Sequence, residues 1–471
     1  MPLLLLTPQG CGDGKDTTSA ESSTKVYLST PYGYVASFNE RSQEALGFAT
    51  VDGTCWAQPV PGEIWWAAPR NNQRMDFDYL GQKSPGMPFI RVKDLDEACP
   101  AGTLATNMDE EFVPDWEQEF ELFQKTFRSQ YAFFTLRDVD WDEQVKSARK
   151  KIDANMSVEA FFDVLSEAVA PLGDGHIVIQ AGDDLVFNAS TRPDIYASLS
   201  QEAQDKAPSD EEDLDSYVAN YVSEQVSKLE DAIEKKLVDG SEHGKFTDPM
   251  FWARIQHEGE EYAYVRLTSF SELVPSEDFP VVSDNIEALH RFMGEVLQSP
   301  SSQHGLVIDV RINDGGWDHL GRELVSRFVD RETHVYSKRV YSNETFGEKI
   351  KLTVSPHSDE HYSRPIVVLT SPSTISAAET FVMAMSELKQ VRTIGETTHG
   401  ITSDATPKFL PSGIYFSLSN EEYSSPGGQV FELRGVEPDV QVPVFTEADR
   451  SQGKDSALVR ALEDLATRAS R

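Results

Sequence analysis

Two stretches decide the fold: Leu306-Val307-Ile308-Asp309-Val310-Arg311-Ile312-Asn313-Asp314-Gly315-Gly316, and Pro365-Ile366-Val367-Val368-Leu369-Thr370 with its continuation to Ser376-Ala377-Ala378-Glu379. In each, a short apolar run typical of a buried strand stops at glycine or serine and passes into a helical pattern. Such a turn marks the carboxyl end of a strand, where open α/β sheets bind their ligands. The first turn offers bare backbone N–H groups, and the second offers a hydroxyl beside a helix N-terminus. Together they can supply an oxyanion hole and a nucleophile.

Strand and helix patterns alternate on both sides of these stretches, from about Phe251 to Val444. Apolar residues at helical spacing, Ile286 and Leu289 among them, precede the first stretch, and the strand pattern Val391-Arg392-Thr393-Ile394 follows the second. Such βαβ repetition predicts a mostly parallel sheet covered by helices. We therefore predict an α/β core over residues 251–471, which would carry the site.

The rest of the chain divides into four predicted segments. Residues 1–24 are predicted to be a leader and linker, and residues 25–107, with short alternating apolar runs broken by Pro and Gly, a β-rich N-terminal domain. Residues 108–180 are predicted to form a helical subdomain, and residues 181–250 an acidic helical insertion that docks on the core or on another subunit. The helical stripes are Trp116, Phe120, Phe123 and Phe127 in the subdomain, and Val218, Val222, Val226, Leu229, Ile233 and Leu237 in the insertion.

Four segments, in this order, resemble those of the tail-specific (C-terminal processing) serine peptidases. They are Gly173-Asp174-Gly175-His176, Ile308-Asp309-Val310-Arg311-Ile312-Asn313-Asp314-Gly315-Gly316, Thr370 to Phe381 with Ile394-Gly395-Glu396-Thr397-Thr398-His399-Gly400, and Gly435-Val436-Glu437-Pro438-Asp439-Val440. The resemblance implies an α/β fold of the crotonase-like (ClpP-like) type. It also implies a serine endopeptidase that acts through an acyl-enzyme.

The resemblance assigns roles to individual residues. The family's nucleophile matches Ser376, and the oxyanion hole would be made by backbone N–H groups of Gly315 or Gly316 and of Ala377. Many members carry a lysine base in a turn that here reads Thr398-His399-Gly400, so a Ser–Lys dyad is not expected. The substrate would be a peptide or a protein.

The branch of the tricorn core protease instead uses a histidine, which matches His176. An imidazole with a pKa near ~6.5 can accept the serine proton at neutral pH. The supporting glutamate of that branch matches Glu432, with Glu437 as the second candidate. That branch has a serine before the histidine where this chain has Gly175, so the network between glutamate and histidine is expected to be shorter or bridged by water.

Each of these residues also has an ordinary structural explanation. Ser376 with Glu379 fits a helix capping box, the two glycines fit a common turn, and His176 fits a strand-entry residue. For His399 we prefer the role of a loop residue or a substrate contact, and that of a substitute base comes second. Arg311, within a buried strand, is predicted to be a structural charge paired with a carboxylate.

Composition and charge exclude some classes of function. The net charge of −36 argues against nucleic acid as a partner, because phosphate binding needs clustered Lys and Arg. The ten histidines show no metal-ligand spacing, so neither a metal nor another cofactor is expected. A PDZ module, which many family members insert after the histidine segment, is not expected, because no Gly-Leu-Gly-Phe-like loop occurs.

The three cysteines bear on location. Cys55 and Cys99 either pair in an oxidising compartment or are two unrelated buried thiols. Cys11 follows Leu3-Leu4-Leu5-Leu6 and precedes a polar stretch, like the end of a bacterial lipoprotein signal, although the apolar run is short and no basic residues precede it. We therefore expect a bacterial, extracytoplasmic protein, with Cys11 as a candidate lipidation site and membrane tether. The oligomeric state stays open.

Two rival functions share the expected fold. One is a non-catalytic carrier or ligand-binding protein, for which the departures at the lysine position and at Gly175 leave room. The other is an acyl-CoA enzyme, in which paired N–H groups would stabilise an enolate. The Ser376-Ala377-Ala378-Glu379 turn favours the peptidase over the acyl-CoA enzyme, because the latter needs no serine there.

Overall fold

The computed structural model describes residues 24–39, 41–42, 44–59, 74–77, 87–208, 213–245, 248–274, 282–358 and 361–469. The predicted leader with Cys11 lies outside the described residues. The strands are β1 (Thr24–Ser29), β2 (Tyr34–Asn39), β3 (Glu44–Val51), β4 (Thr54–Ala57), β5 (Arg74–Phe77), β6 (Met87–Val92), β7 (Gly102–Leu104), β8 (Val178–Ala181), β9 (Leu185–Asn188), β10 (Met250–His257), β11 (Glu260–Leu267), β12 (Leu306–Asp309), β13 (Ile312–Asn313), β14 (Thr333–Ser342), β15 (Thr345–Phe346), β16 (Ile350–Val354), β17 (Ile366–Thr370), β18 (Ser373–Thr374), β19 (Val391–Gly395), β20 (Ala405–Phe409), β21 (Tyr415–Ser419), β22 (Glu421–Ser424) and β23 (Val440–Gln441). The α-helices are α1 (Leu95–Ala98), α2 (Trp116–Gln130), α3 (Trp141–Arg149), α4 (Val158–Val169), α5 (Ile195–Lys206), α6 (Leu214–Glu234), α7 (Val282–Gln298), α8 (Asp318–Val325), α9 (Ala377–Ser386), α10 (Glu447–Gln452) and α11 (Ser456–Ala469).

The central sheet has six strands in the order β10-β11-β12-β17-β19-β23. Strands β10 and β11 form an antiparallel hairpin, and every other neighbouring pair is parallel. Successive side chains of a strand point to opposite faces of a sheet. Accordingly, Leu306 and Ile308 of β12 pack into one hydrophobic cluster, while Val307 packs into the cluster on the other face. The core is therefore a mostly parallel sheet between two helical layers.

Different helices cover the two faces. Helices α7, α8 and α9 contribute Met293, Leu324 and Phe381 to the cluster on the first face. Helices α6 and α11 contribute Leu229 and Leu462 to the cluster on the second face. The insertion thus docks on the core sheet, one of the two sites predicted for its apolar stripe.

A buried ion cluster fixes α11 to the end of β12. The guanidinium of Arg311 donates to Asp309 Oδ2 (2.6 Å) and to Asp455 Oδ2 (2.7 Å), and all three side chains are buried. Tyr264 also donates to Asp309 Oδ2 (2.8 Å). The prediction that Arg311 is a structural charge paired with a carboxylate is confirmed.

The predicted helical subdomain shares its hydrophobic core with a distant part of the chain. Phe123 and Phe127 of α2 pack against Phe416 of β21, with ring centroids 5.1 and 6.0 Å apart. Strand β8 pairs with β21 through Ile179 and Phe416, in a four-stranded sheet ordered β20-β21-β8-β9. Residues 108–180 are therefore not an independent unit, because the hairpin β20–β21 completes both their core and their sheet.

The N-terminal residues form a seven-stranded sheet in the order β5-β6-β1-β2-β3-β4-β7. A disulfide joins Cys55 of β4 to Cys99, just after α1, with their Cα atoms 5.6 Å apart. The sheet lies against the edge strand β20: Trp56 Nε1 donates to Phe409 O (2.6 Å), and Lys408 Nζ donates to Tyr32 O (2.8 Å). A further sheet is built around β14, which pairs with β15, β16 and β22.

We expect Glu119 of α2 to make stability depend on pH. The side chain is buried, accepts a hydrogen bond from Ser412 Oγ, and leaves Oε1 without a partner among the described residues. Burial raises the pKa of Glu119 from 4.5 to about 7. Because the unfolded chain then loses this proton at lower pH than the folded chain, the free energy of unfolding should fall between about pH 4.5 and pH 7, by ~3 kcal/mol for this group.

Urea unfolding at pH 5 and pH 8 measures this effect. In Glu119→Gln the free energy of unfolding should lack the part of its pH dependence that comes from Glu119. This variant should be more stable than the natural protein at pH 8. Glu117→Gln, on the exposed side of the same helix, is the matched control and should keep the natural slope. Equal slopes for Glu119→Gln and Glu117→Gln would contradict the prediction.

Candidate active site

The two sequence stretches that decide the fold meet beyond the carboxyl ends of β12 and β17. After those strands the chain continues into the short strands β13 and β18, which pair in parallel, with Ile312 opposite Ser373 and Asn313 opposite Thr374. The N–H of Ile375 donates to Asn313 O (3.0 Å). This pairing sets the glycine turn beside the serine turn, as the sequence predicts for neighbouring parallel strands.

Ser376 lies at a strained turn between β18 and α9. Its backbone angles, φ of 56° and ψ of −118°, lie in a region that residues other than glycine rarely adopt. It is the N-cap of α9 and is partly exposed. Strain of this kind persists only where the surroundings hold it, and serine nucleophiles of α/β hydrolases sit on such a sharp strand-to-helix turn.

Gly315 packs directly against the serine turn. A Cβ atom at Gly315 would lie 2.8 Å from Ser376 Cβ and 3.1 Å from Ala377 N, and its φ of 96° also favours glycine. The N–H of Gly315 donates to Asn313 Oδ1 (3.0 Å), so this donor is already engaged. Gly316 lies opposite Phe270 in an isolated β-bridge. Its hydrogen bonds run from Phe270 N to Gly315 O and from Trp317 N to Phe270 O, so they do not use the N–H of Gly316. The N–H of Ala377 is at the first helical position, where no carbonyl of the helix can accept it.

A buried carboxylate fixes the backbone of the serine turn. Glu379 Oε2 accepts the N–H of Ser376 (3.3 Å), the backbone half of the capping box that the sequence predicts. Its Oε1 also accepts Thr398 Oγ1 and the N–H of Gly400, both at 2.6 Å, and its Oε2 accepts the N–H of Ile401 (2.8 Å). Burial raises the pKa of Glu379, and these hydrogen bonds oppose the shift. Glu379 therefore joins α9 to the loop that carries His399.

A second buried carboxylate holds the next part of that loop. Glu432 Oε2 accepts the N–H of Thr402 (2.8 Å) and the N–H of Ser403 (3.2 Å). Glu379 and Glu432 thus accept four successive backbone N–H groups, from residue 400 to residue 403. Leu433 N–H donates to Gly400 O (2.7 Å), which ties the Glu432 turn to the same loop.

Glu432 also belongs to an ion cluster behind the histidine turn. Arg137 Nη2 lies 2.7 Å from Glu432 Oε1 and 3.7 Å from Asp174 Oδ2, and all three side chains are almost fully buried. Tyr131 donates to Asp174 Oδ2 (3.0 Å). Burial and the charge of Asp174 raise the pKa of Glu432 to about 8, although Arg137 opposes the shift.

His176 is connected to this cluster through its backbone. Its N–H donates to Asp174 Oδ1 (2.9 Å), and its carbonyl accepts Ser417 Oγ (2.6 Å). The imidazole Nδ1 is buried without a hydrogen-bond partner among the described residues, and burial lowers the pKa of His176. Among those residues no hydrogen bond joins the imidazole to Ser376. The contact between Glu432 and His176 is therefore indirect, through Arg137 and Asp174.

His399 lies between the histidine turn and the serine turn. It is 6% exposed, its Nδ1 is 3.0 Å from Pro372 O, and its Nε2 is 3.1 Å from Ser190 Oγ. Because a carbonyl only accepts, Nδ1 carries the hydrogen of the bond to Pro372. Ser190 Oγ, which is hydrogen-bonded to Nε2, also donates to Arg192 O (3.2 Å). A Cβ atom at Gly175 would lie 3.6 Å from His399 Nε2, so the two turns are in contact. Both ring nitrogens of His399 are thus engaged by the protein.

The remaining predicted residues separate clearly. Glu437 is exposed, whereas Glu432 is fully buried, so of the two candidates only Glu432 enters the network. Arg137 escaped sequence reasoning, because a single arginine 37 residues before Asp174 carries no local signal. Glu379 was visible in the serine motif, but only as a cap; its contacts with residues 398–401 depend on the tertiary fold.

Within the described ranges no group of three or more His, Cys, Asp or Glu side chains could hold a metal ion. In the same part of the chain no helix is long and apolar enough to cross a membrane.

The strained serine turn packs against a glycine turn at the carboxyl edge of a mostly parallel sheet. This arrangement is of the class found in α/β serine hydrolases. Two family models match parts of the chain. Residues 261–442 match the model of peptidase family S41, and residues 112–170 match the tricorn protease C1 domain. These two matches agree in position with the predicted α/β core and helical subdomain, and the resemblance stated from the sequence is confirmed.

Individual relatives agree with this assignment. The chain is 26% identical to the carboxy-terminal processing protease CtpA of Bacillus subtilis over 177 residues, which are 38% of this chain and 34% of that protein. It is 29% identical to the tricorn protease of Thermoplasma acidophilum over 170 residues, 35% of this chain and 14% of that protein. The chain thus spans less than half the length of the curated relatives it matches.

A solved structure shows the same fold. A crystal structure from Parabacteroides merdae ATCC 43184 superposes with a TM-score of 0.56 at 22% identity, covering 75% of this chain and 97% of that one. The prediction of an α/β fold is thereby confirmed.

Proposed function

We propose that this protein is a serine endopeptidase that hydrolyses peptide bonds through an acyl-enzyme on Ser376. The observation that carries the proposal is the strained, partly exposed Ser376 at the N-terminus of α9, in contact with Gly315. A structural cap alone does not need this strain, because an ordinary N-cap serine has extended backbone angles. The crotonase-like architecture is part of the same proposal, supported by the parallel sheet and its helices.

The oxyanion hole would consist of the N–H groups of Gly316 and Ala377. Gly315 is the less suitable of the two glycines, because Asn313 already accepts its N–H. The absence of a Cβ atom at Gly315 instead lets the glycine turn approach Ser376. Each such donor stabilises the charged tetrahedral intermediate, and in serine hydrolases the loss of one costs on the order of 3 kcal/mol of barrier.

His176 would be the general base. Burial lowers its pKa, so the ring is neutral at pH 7 and can accept the Ser376 proton. The base would then return this proton to the leaving amine, and a water molecule would hydrolyse the acyl-enzyme. The mechanism requires the imidazole to reach the Ser376 hydroxyl once substrate is bound, because catalytic hydrogen bonds often tighten only in that complex.

Glu432 would support the base indirectly. It holds Arg137, and Arg137 with Tyr131 fixes Asp174, which accepts the N–H of His176. In this proposal the carboxylate of Glu432 does not contact the imidazole. Instead, the buried cluster of Glu432, Arg137 and Asp174 orients the histidine turn. His399, with both ring nitrogens engaged, would position the loop and not act as a base.

The protein would act on peptide or protein substrates outside the cytoplasm. The disulfide between Cys55 and Cys99 supports an oxidising compartment, because such bonds are rare in the cytosol. A lipid tether at Cys11 remains a part of this proposal that rests on the sequence.

Labelling with a fluorophosphonate probe tests the proposal. We expect one adduct, located on Ser376 by mass spectrometry, and its loss in His176→Ala. Folded protein without an adduct would instead favour the non-catalytic carrier. Labelling that survives His176→Ala but disappears in His399→Ala would show that the base is His399.

A further inference from the structure

The segment of residues 188–195, which we term the strap, connects β9 to α5 and crosses the segments that carry the site. Asn188 Nδ2 donates to Gly175 O (2.9 Å), beside His176. At its other end, the N–H of Ile195 donates to Ser373 Oγ (2.8 Å), three residues before Ser376. The strap therefore bonds both to the histidine turn and to the serine turn.

Arg192 is at the centre of the strap and binds the third segment. Its Nη1 donates to His399 O (2.9 Å) and Arg434 O (3.4 Å), and its Nη2 donates to Thr397 O (3.2 Å). One planar guanidinium thus bridges the carbonyls of two loops, a task that suits its fixed fork of donors. The first loop supplies the N–H groups that Glu379 accepts, and the second loop carries Glu432.

The partners of Arg192 are unusual for a charge that serves stability alone. The side chain is half-buried, and it forms no ion pair with a carboxylate among the described residues. Asp194, two residues away, caps α5 through the N–H of Ala197 (2.7 Å) instead. A half-buried guanidinium that donates only to carbonyls loses part of its hydration, and no ion pair compensates for that loss. What the arrangement secures is the position of the two loops.

We infer that Arg192 is a positioning residue that holds the 397–403 loop in register with the serine turn. Through this loop it acts on Glu379, which accepts the N–H of Ser376 and of Gly400. His399 is the second link, because its ring joins Ser190 of the strap to Pro372 O. The inference rests on the proposed peptidase function, but the strap's hold on the loop can be measured independently of activity.

Arg192→Ala, with and without added methylguanidinium, tests this inference. We expect amide hydrogen exchange in residues 397–403 to become at least about 10-fold faster, and methylguanidinium to restore it. The rate of fluorophosphonate labelling should fall by about 10- to 100-fold, since small displacements of a catalytic group have effects of this size. With a peptide substrate, kcat should fall while KM stays within about twofold. Arg192→Lys, which keeps the charge but not the fork, should be intermediate.

Arg331→Ala is the matched control, since Arg331 is exposed and pairs with the exposed Asp330. It should leave exchange and labelling unchanged. Natural exchange in the 397–403 loop of Arg192→Ala would overturn the inference, as would a rise in KM alone, which would mark a substrate contact. If Arg192→Ala does not fold, the same readouts on Arg192→Lys decide. Natural protein that takes no label refutes the peptidase proposal, while loop exchange and its rescue still decide the role of Arg192.

Discussion

Ser376→Ala is expected to lower kcat/KM for peptide hydrolysis by on the order of 10⁴- to 10⁶-fold. The change removes the only atom that would form the acyl-enzyme, and in serine proteases the loss of the nucleophile leaves just the contributions of binding and of the oxyanion hole. The fold should persist, because the Cβ atom that packs against Gly315 remains. Cleavage of unstructured, fluorescein-labelled casein measures the effect, and urea unfolding verifies that the variant is folded.

The matched control is Ser386→Ala at the end of the same helix. Ser386 is exposed, and its hydroxyl donates to Val382 O (2.8 Å) within α9. Its loss should change kcat/KM by less than about twofold. If Ser376→Ala retained more than a hundredth of the natural activity, the hydrolytic nucleophile would have to be another group.

The central sheet was predictable from sequence because its signal is local and repeated. Leu306, Val307 and Ile308 make both faces of their strand apolar, which is typical of a strand covered by helices on either side. The serine and glycine turns could be placed together for the same reason, because parallel neighbours end at one edge of a sheet.

What escaped prediction depends on contacts between distant segments. The pairing of Ile179 with Phe416 joins strands more than two hundred residues apart, and neither strand carries a mark of its partner. The sheet around β14 was missed for the same reason. The alternatives for Cys55 and Cys99 could not be resolved from spacing, because pairing depends on how β4 lies relative to α1.

The site divides in the same way. Ser376 and His176 stand in recognisable motifs, so sequence could name them. Arg137 and Arg192 are single arginines outside any motif, and their importance comes from the carbonyls and carboxylates that the fold gathers around them. Sequence reasoning therefore identified the groups proposed to react, whereas the groups that orient them required the structure.

Arg137→Met is expected to lower the free energy of unfolding by about 3–5 kcal/mol at pH 8. Arg137 is the only cation within 4.0 Å of the Asp174 and Glu432 carboxylates among the described residues, and all three side chains are almost fully buried. A buried carboxylate deprived of its cation costs far more than the pair contributes, since hydration was already lost. Methionine fills a similar volume, so the loss should report the charge and its hydrogen bonds, which include those to Leu172 O and Gly173 O, and not a cavity.

The pH dependence of this loss distinguishes a charge effect from a packing effect. The pKa of Glu432 is already raised to about 8 with Arg137 present, and without the guanidinium it should rise further. A carboxyl whose folded pKa exceeds its unfolded value destabilises progressively as the pH rises above that unfolded value. Urea unfolding should therefore show a smaller difference between Arg137→Met and the natural protein at pH 5 than at pH 8. Arg149→Met, which removes an exposed partner of Glu121, should cost less than about 1 kcal/mol at either pH. Adding Glu432→Gln to Arg137→Met should recover part of the stability, because the double variant leaves one buried carboxylate without a cation and not two. An equal loss of stability at both pH values, with no recovery in the double variant, would show that Arg137 acts by packing and not as the counter-ion behind His176.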